Sequence, residues 1–356
     1  MKRAPTLADV ATRAGVSYAT VDRVVNARGS VATRSKDLVL QAVSDLGYVR
    51  NVAAANLAQA RTYRFCCIIP DGTNGFMQRV CDILHRAAEA LATDRVAVEV
   101  RRIAAFDPVG LRACLDDLAA TPVDGIALVG TTDARVDAAI AALRRRGVAV
   151  VTLISDMPGS TRDAYVGIDN LTAGRTAAGL ILLAHRGKAG RVLPIVGALS
   201  ARDHADRIDG LRQSLAGSGV AVAPLIEGLD RHDVVAGKVQ AALSADPGIT
   251  AIYSAGAGNA GLFRVIAGWT DTPPRPMVVV HELLDASRQA LEQGLIDIVI
   301  DQRPEDEVAR TLDALRHMAD RRPLPPLPQI VPAIYIKENL PVARSDSRPV
   351  PLAESA

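Results

Sequence analysis

At 356 residues the chain exceeds the usual size of one domain, and 49% apolar residues are enough to bury real cores, which excludes general disorder and leads us to expect two or three units. The formal net charge is +2, but up to Thr62 nine basic residues face four acidic ones, so a basic head sits on a near-neutral body, the footprint of nucleic-acid contact or simply of a solvated surface. No apolar run approaches the ~18–20 residues needed to span a bilayer, and the first residues lack the apolar core of a secretory signal, so no membrane partner and a cytoplasmic location are expected.

In chain order, residues 1–50 read as short helices. Thr6-Leu7-Ala8-Asp9 is a capping box, Leu7, Val10 and Ala11 share one face, and Gly15 ends the helix. Ser17 can cap a second helix through Val25, and a third runs from about Thr33 to Leu46 before Gly47. Helix, glycine-containing turn and short helix make a helix-turn-helix, whose second helix enters the major groove of DNA. Residues 51–62 are helix-forming and rich in alanine but carry no apolar stripe broad enough for a core.

From Tyr63 the pattern changes to apolar strands alternating with helices. Strands are expected at Phe65–Ile69, Val96–Val100, Gly125–Val129 and Val148–Leu153, then at Tyr165–Ile168, Val192–Val196, Val220–Ile226, Ile249–Tyr253 and Met277–His281. Helix-length segments separate them, so two doubly wound parallel sheets are predicted. Asp297–Asp301 reads as a strand, Glu305–Ala319 as a helix and Ile330–Ile336 as a last strand; residues 341–356 read as a disordered tail. Cys66, Cys67, Cys81 and Cys114 show no CxxC pair, so reduced core thiols are expected and no metal site.

The segment Thr6-Leu7-Ala8-Asp9-Val10-Ala11, Ala14-Gly15-Val16-Ser17-Tyr18, Thr20-Val21 and Arg23-Val24-Val25-Asn26, continued by Leu46-Gly47-Tyr48, Asn51, Ala54 and Leu57-Ala58, closely resembles the lactose-repressor (LacI) family of transcriptional regulators. The resemblance implies that Tyr18 and Ala19 read base edges and that Thr6, Ser17, Thr20, Asn26 and Asn51 position phosphates. Residues 51–62 would be a hinge helix, with Leu57 as its minor-groove wedge; an ordinary linker is the alternative. On the exposed face, Arg23 suits a bidentate contact to guanine. Asp22 departs from the family's usual serine, and we expect it to orient Arg23.

Residues 63–340 resemble the sugar-binding class of periplasmic binding proteins, the fold that family uses to bind its effector. Pro70-Asp71-Gly72-Thr73-Asn74-Gly75-Phe76 resembles the loop in which polar side chains meet hydroxyls and an aromatic ring packs on the sugar, which implicates Asp71, Asn74 and Phe76. Arg207 falls on the pocket arginine, Glu282 on a carboxylate that accepts from adjacent hydroxyls and Gln302 on the pocket amide. Asp169 and Asn259 are further candidates that could equally cap helices. The fourth strand ends Leu153-Ile154-Ser155-Asp156 and lacks the Asp-Arg of ribose-binding relatives.

A rival reading comes from Gly256-Ala257-Gly258-Asn259-Ala260-Gly261, which matches the GxGxxG dinucleotide fingerprint between a strand and a helix and would make this an NAD-binding enzyme fused to a DNA-binding head. The fingerprint normally opens a first unit, whereas several precede it here, and no compact set of proton-transfer residues accompanies it. The expected fold is therefore an all-α helix-turn-helix head plus an α/β effector domain of two doubly wound parallel-sheet lobes, of periplasmic-binding-protein type I. The expected function is a non-enzymatic, cofactor-free homodimeric regulator, which binds a palindromic double-stranded operator and is switched by a sugar or polyol.

Overall fold

Thr6 starts the first helix as its sequence requires: its hydroxyl accepts from the Asp9 amide at 3.3 Å, and the Asp9 carboxylate accepts the Thr6 amide at 2.7 Å. The computed structural model describes residues 5–25, 30–48, 61–270 and 274–342, and the chain divides into two units, Met1–Thr62 and Tyr63–Ala356. In the first, α1 (Leu7–Ala14), α2 (Tyr18–Val25) and α3 (Thr33–Leu46) enclose Val10, Ala14, Val21, Val39 and Ala42. Gly15 and Gly47 end α1 and α3 in the left-handed region, at φ 65° and 59°, which glycine enters without steric cost.

The second unit holds two lobes. In the first lobe, β1 (Tyr63–Asp71), β2 (Val96–Ala104), β3 (Gly125–Leu128), β4 (Ala149–Leu153) and β5 (Ala164–Val166) form a parallel sheet in the order β2-β1-β3-β4-β5. Helix α4 (Gly75–Leu91) covers one face, and α5 (Pro108–Ala119) and α6 (Ala134–Arg145) cover the other. The central strands β3 and β4 are buried on both faces and read as near-continuous apolar runs, whereas the edge strand β2 alternates and carries Glu99, Arg101 and Arg102.

In the second lobe, α7 (Asn170–His185), β6 (Gly190–Val196), α8 (Arg202–Leu215), β7 (Val220–Val222), β8 (Ile226–Glu227), α9 (His232–Ala245), β9 (Ala251–Ser254), α10 (Asn259–Ala267), β10 (Met277–His281), α11 (Asp285–Glu292) and β11 (Ile298–Asp301) repeat the winding. Helix α12 (Pro304–Ala319) returns to the first lobe, where Val308, Leu312 and Leu315 join its core. Strand β12 (Ala333–Tyr335) then closes the second sheet, ordered β12-β11-β10-β9-β6-β7. The chain thus passes between lobes three times, and a bridge between Ile168 and Ile330 ties the first passage to the third.

Three sequence expectations change. The strand foreseen over Val220–Ile226 is two short ones, β7 and β8, interrupted at Pro224, which has no N–H for the ladder. The last strand runs antiparallel to β11, so the second sheet is not purely parallel. Helix α11 was not foreseen, because only Ser287, Ala290 and Leu291 are buried and no apolar stripe announces it.

Helices α7 and α8 touch backbone to backbone. A Cβ added at Gly174 would lie 1.9 Å from the Arg207 carbonyl oxygen, and one at Gly210 2.1 Å from that of Leu171. Gly174→Ala should therefore lower unfolding free energy by about 2–3 kcal/mol. Urea denaturation checks this, and an unchanged midpoint would mean the two helices can separate freely.

Candidate ligand cleft and nucleic-acid interface

In the first lobe β1 lies between β2 and β3, in the second β6 lies between β7 and β9, and open α/β sheets bind ligands outside the carboxyl ends of their strands at such a switch point. Here the loops after β1, β2, β3 and β4 face those after β6, β8, β9, β10 and β11 across one cleft. An outer chamber of about 290 Å³ is lined by Asp71, Thr73, Phe106, Thr131, Ser155 and Leu229, among others. An inner chamber of about 40 Å³ is lined by Phe76, Arg207, Asn259, His281, Glu282 and Gln302, among others. Asn74, Met77, Asp203 and His204 line both.

The inner chamber concentrates buried polarity. The Arg207 side chain donates through Nε to Asn170 Oδ1 and through Nη1 to the Ala255 carbonyl, both at 2.8 Å, while Nη2 is buried without a partner. Gln302 donates through Nε2 to Glu282 Oε1 at 2.6 Å, and its own Oε1 is buried and unpaired. The Nε2 of His281 meets the Tyr253 hydroxyl at 2.8 Å, and its Nδ1 is buried and unpaired. Burial holds the imidazole far below its ordinary pKa, with Arg207 and His204 adding to the effect, so it is neutral. Burial first and the Asp301 charge second push the Glu282 carboxyl up to about 8, despite Arg207, Gln302 and Arg79. Burial would raise the Asp203 carboxyl as well, but His204 and Arg207 keep it below the ordinary carboxylate range.

The lobes are clasped across the cleft. Asn74 Nδ2 donates to Asp230 Oδ2 at 2.8 Å, and the Thr73 hydroxyl donates to the Asp230 carbonyl at 2.7 Å. Asn74 also caps α4 by accepting from the Phe76 and Met77 amides. Nearer the chain passages, Arg79 of α4 donates to the Leu283 carbonyl at 3.1 Å and to Asp301 at 3.0 Å.

The cleft therefore gathers Asp71, Asn74, Phe76, Arg207, Asn259, Glu282 and Gln302. Phe76 is at once chamber wall and core, at 5% exposure. Asp71, exposed at the rim, holds the Gly72 amide and pairs with Arg102. Asp169 does not reach the cleft: it caps α7 through the Thr172 amide and lines a separate groove with Arg310 and Pro328. Its neighbour Asn170 faces inward instead. Asn170 and Ala255 occupy two of the Arg207 nitrogens, and one remains for a ligand.

Sequence reasoning missed Asp203, His204, Asp230, Phe106 and Glu307. Glu307, on the first turn of α12, is fully buried, and burial first, with the Glu282 charge behind it, raises its pKa well above the ordinary value. The glycines of the GxGxxG match serve packing. A Cβ at Gly256 would lie 2.4 Å from the Gly197 amide, and one at Gly261 1.9 Å from the His232 carbonyl. They follow β9 rather than β6, the first strand of the lobe, where a dinucleotide fingerprint belongs.

In the N-terminal unit, Ser17, Tyr18, Ala19 and Arg23 are exposed along α2, with Tyr18 at 56%, while Thr20 and Asp22 are half-buried and Thr6 is exposed at the start of α1. The Ser17 hydroxyl accepts from the Thr20 amide at 3.2 Å and so caps the start of α2. Asn26, Asn51 and Leu57 lie outside the described residues, as does most of the expected hinge at 51–62 and of the tail at 341–356.

Because both Glu282 and its environment are buried, its proton is linked to stability. The unfolded carboxyl releases it near 4.5 and the folded one near 8, so stability falls as pH rises through that window. Glu282→Gln removes the penalty: its gain over the parent should be nearly nil at pH 4 and roughly 4 kcal/mol at pH 8. Parallel thermal melts would expose a pH-independent difference, which this account forbids.

Among known proteins, the family described as "Periplasmic binding protein domain" matches residues 65–323, and that described as "Bacterial regulatory proteins, lacI family" matches residues 6–51. The chain is 27% identical to the HTH-type transcriptional regulator DegA of Bacillus subtilis, over 66% of this chain and 68% of that one. It is 30% identical to the HTH-type transcriptional regulator CelR of Thermobifida fusca, over 62% and 63% of the two chains. The matched segments thus span about two thirds of those regulators' lengths. The crystal structure of GanP, a glucose-galactose binding protein from Geobacillus stearothermophilus, superposes with a TM-score of 0.71 at 22% identity, covering 79% of this chain and all of that one, a likeness of fold.

Proposed function

The chain belongs to the periplasmic binding protein domain family and carries a DNA-binding head of the lacI family, which makes it a DNA-binding transcriptional regulator, and we propose that a sugar or polyol held between the lobes switches its grip on a palindromic operator. The observation that carries this reading is the convergence of Arg207, Glu282 and Gln302, from distant stretches of sequence, on one interlobe cleft where two of them keep buried polar atoms unpaired. Buried donors and acceptors left in this state suit a hydroxylated ligand, because each new hydrogen bond relieves a desolvation penalty. The regulator DegA and the regulator CelR support the DNA-binding half of the reading, and GanP supports the fold of the ligand-binding half.

In this proposal the protein acts in the cytoplasm as a homodimer, and its two heads read two half-sites. It catalyses no reaction and needs no cofactor. Tyr18, Ala19 and Arg23 read bases, while Thr6, Ser17, Thr20, Asn26 and Asn51 hold phosphates and set the register. Leu57 enters the minor groove, and Asp22 orients Arg23. Ligand binding biases lobe closure, and the ligand's different affinity for open and closed lobes is the free energy available to the switch. Residues 63–340 form the effector and dimerisation domain, joined to the head by 51–62.

Arg23→Ala should cost about 1–3 kcal/mol of operator affinity and relax specificity at one base position. Selection of binding sites from random DNA, followed by gel shifts, measures both; an unchanged motif and affinity would leave Arg23 a surface charge. Gln302→Ala should leave ligand-free operator binding intact and weaken the effector ten- to hundredfold, roughly the loss of one buried hydrogen bond. A sugar and polyol panel read by thermal shift supplies the ligand. A Gln302→Ala protein that answers the same sugar at the same concentration would remove Gln302 from the pocket.

A further inference from the structure

The two chambers of the cleft differ in what their polar groups have left to offer a ligand. All three unpaired buried polar atoms among the cleft-lining residues described, Arg207 Nη2, His281 Nδ1 and Gln302 Oε1, belong to the inner chamber. The polar groups of the outer chamber are largely spent on the protein itself. Asp107 accepts from the Val109 and Gly110 amides, and Asp230 accepts from Asn74 and from the Ala257 amide. Thr73 donates to the Asp230 carbonyl, and Ser155 accepts from the Asp203 amide. What the outer chamber still offers is apolar surface from Met77, Ile103, Phe106, Leu111, Val129 and Leu229.

Size sharpens the contrast. The inner chamber is the smaller, at about 40 Å³, and it adjoins the outer one along Asn74, Met77, Asp203 and His204, which line both. The outer chamber, about seven times larger, can take the rest of a ligand that reaches Arg207 and Gln302.

We propose that the effector is amphiphilic, a glycoside whose hydroxylated edge enters the inner chamber while an apolar aglycone lies in the outer one against Met77, Ile103, Phe106 and Val129. This rests on the reading of the cleft as an effector site. Burying an aryl group against those side chains favours binding, and even after the entropy of ordering it about tenfold in affinity remains.

The test uses the full-length protein and calorimetric titration with matched sets of free sugars, their methyl glycosides, their phenyl glycosides and disaccharides of the same sugars. Phenyl glycosides should bind about tenfold or more tightly than the methyl glycosides of the same sugar. Ile103→Asn should abolish that ratio, whereas Gln302→Ala should weaken both members and preserve it. Val129→Thr, which keeps the shape, should shrink the ratio in the same direction if Ile103→Asn melts early. Equal affinity for phenyl and methyl glycosides overturns the amphiphilic effector and leaves the sugar-switched regulator standing. Disaccharides that bind more tightly than phenyl glycosides overturn it in favour of a second sugar ring. Failure of every compound in the panel to bind brings down both readings.

Discussion

The cleft depends on a guanidinium taken out of water. Arg207 is 3% exposed, and a buried cation without partners costs several kcal/mol. Its position follows from the glycine contact between α7 and α8, which brings the backbone of α8 against α7 so that Arg207 reaches Asn170. Asn170 in turn donates to the Ile154 carbonyl at 3.3 Å, and the Tyr165 hydroxyl, with one proton to donate, lies 2.9 Å from the Ile154 carbonyl and 2.8 Å from that of Ile168. One hydrogen-bonded chain therefore runs from the arginine of the second lobe into the strand ends of the first. Asp203 supplies the counter-charge, and Glu282 remains close by because it can keep its proton at neutral pH.

Backbone strain concentrates around the same cleft. Phe106, Ile154, Leu229, Asp230, Glu282 and Arg303 all adopt φ between 51° and 71°, although none is glycine, and each lies in a loop after a strand or at a passage between lobes. Such conformations cost of order 1–3 kcal/mol each and persist only where surrounding contacts hold them. The clasp between Asn74 and Asp230 is one such contact. Any motion that parts the lobes must break it, and the strained loops give that motion places where the chain can relax.

The head was legible because its signals are local: a capping box, two terminating glycines and a 3.6-residue apolar period all act within a few residues. The strands of the two lobes were legible for the same reason. Arg207, Glu282 and Gln302 could be placed in the cleft only through family resemblance, since nothing in their local sequence brings residues 207, 282 and 302 together. Asp169 and Asn170 show the limit most closely. Both are good caps and good ligand residues by type, and only the packing of α7 decides that the first caps the helix and the second faces the arginine. Asp230 and Glu307 carried no signal, because the significance of each lies in partners on another lobe or in burial that sequence does not announce.

The passage of α12 back into the first lobe dictates when that lobe can form. Strands β1 to β5 emerge from the ribosome first, but Val308, Leu312 and Leu315, which complete the core over one face of their sheet, are synthesised only after the whole second lobe from β6 to β11. At translation rates of about 5–20 residues per second, that apolar face has only α4 as its cover for roughly 7–30 seconds. The nascent first lobe is therefore a natural client for chaperones, and the head, whose three helices need nothing downstream, is the part of the polypeptide free to fold while synthesis continues.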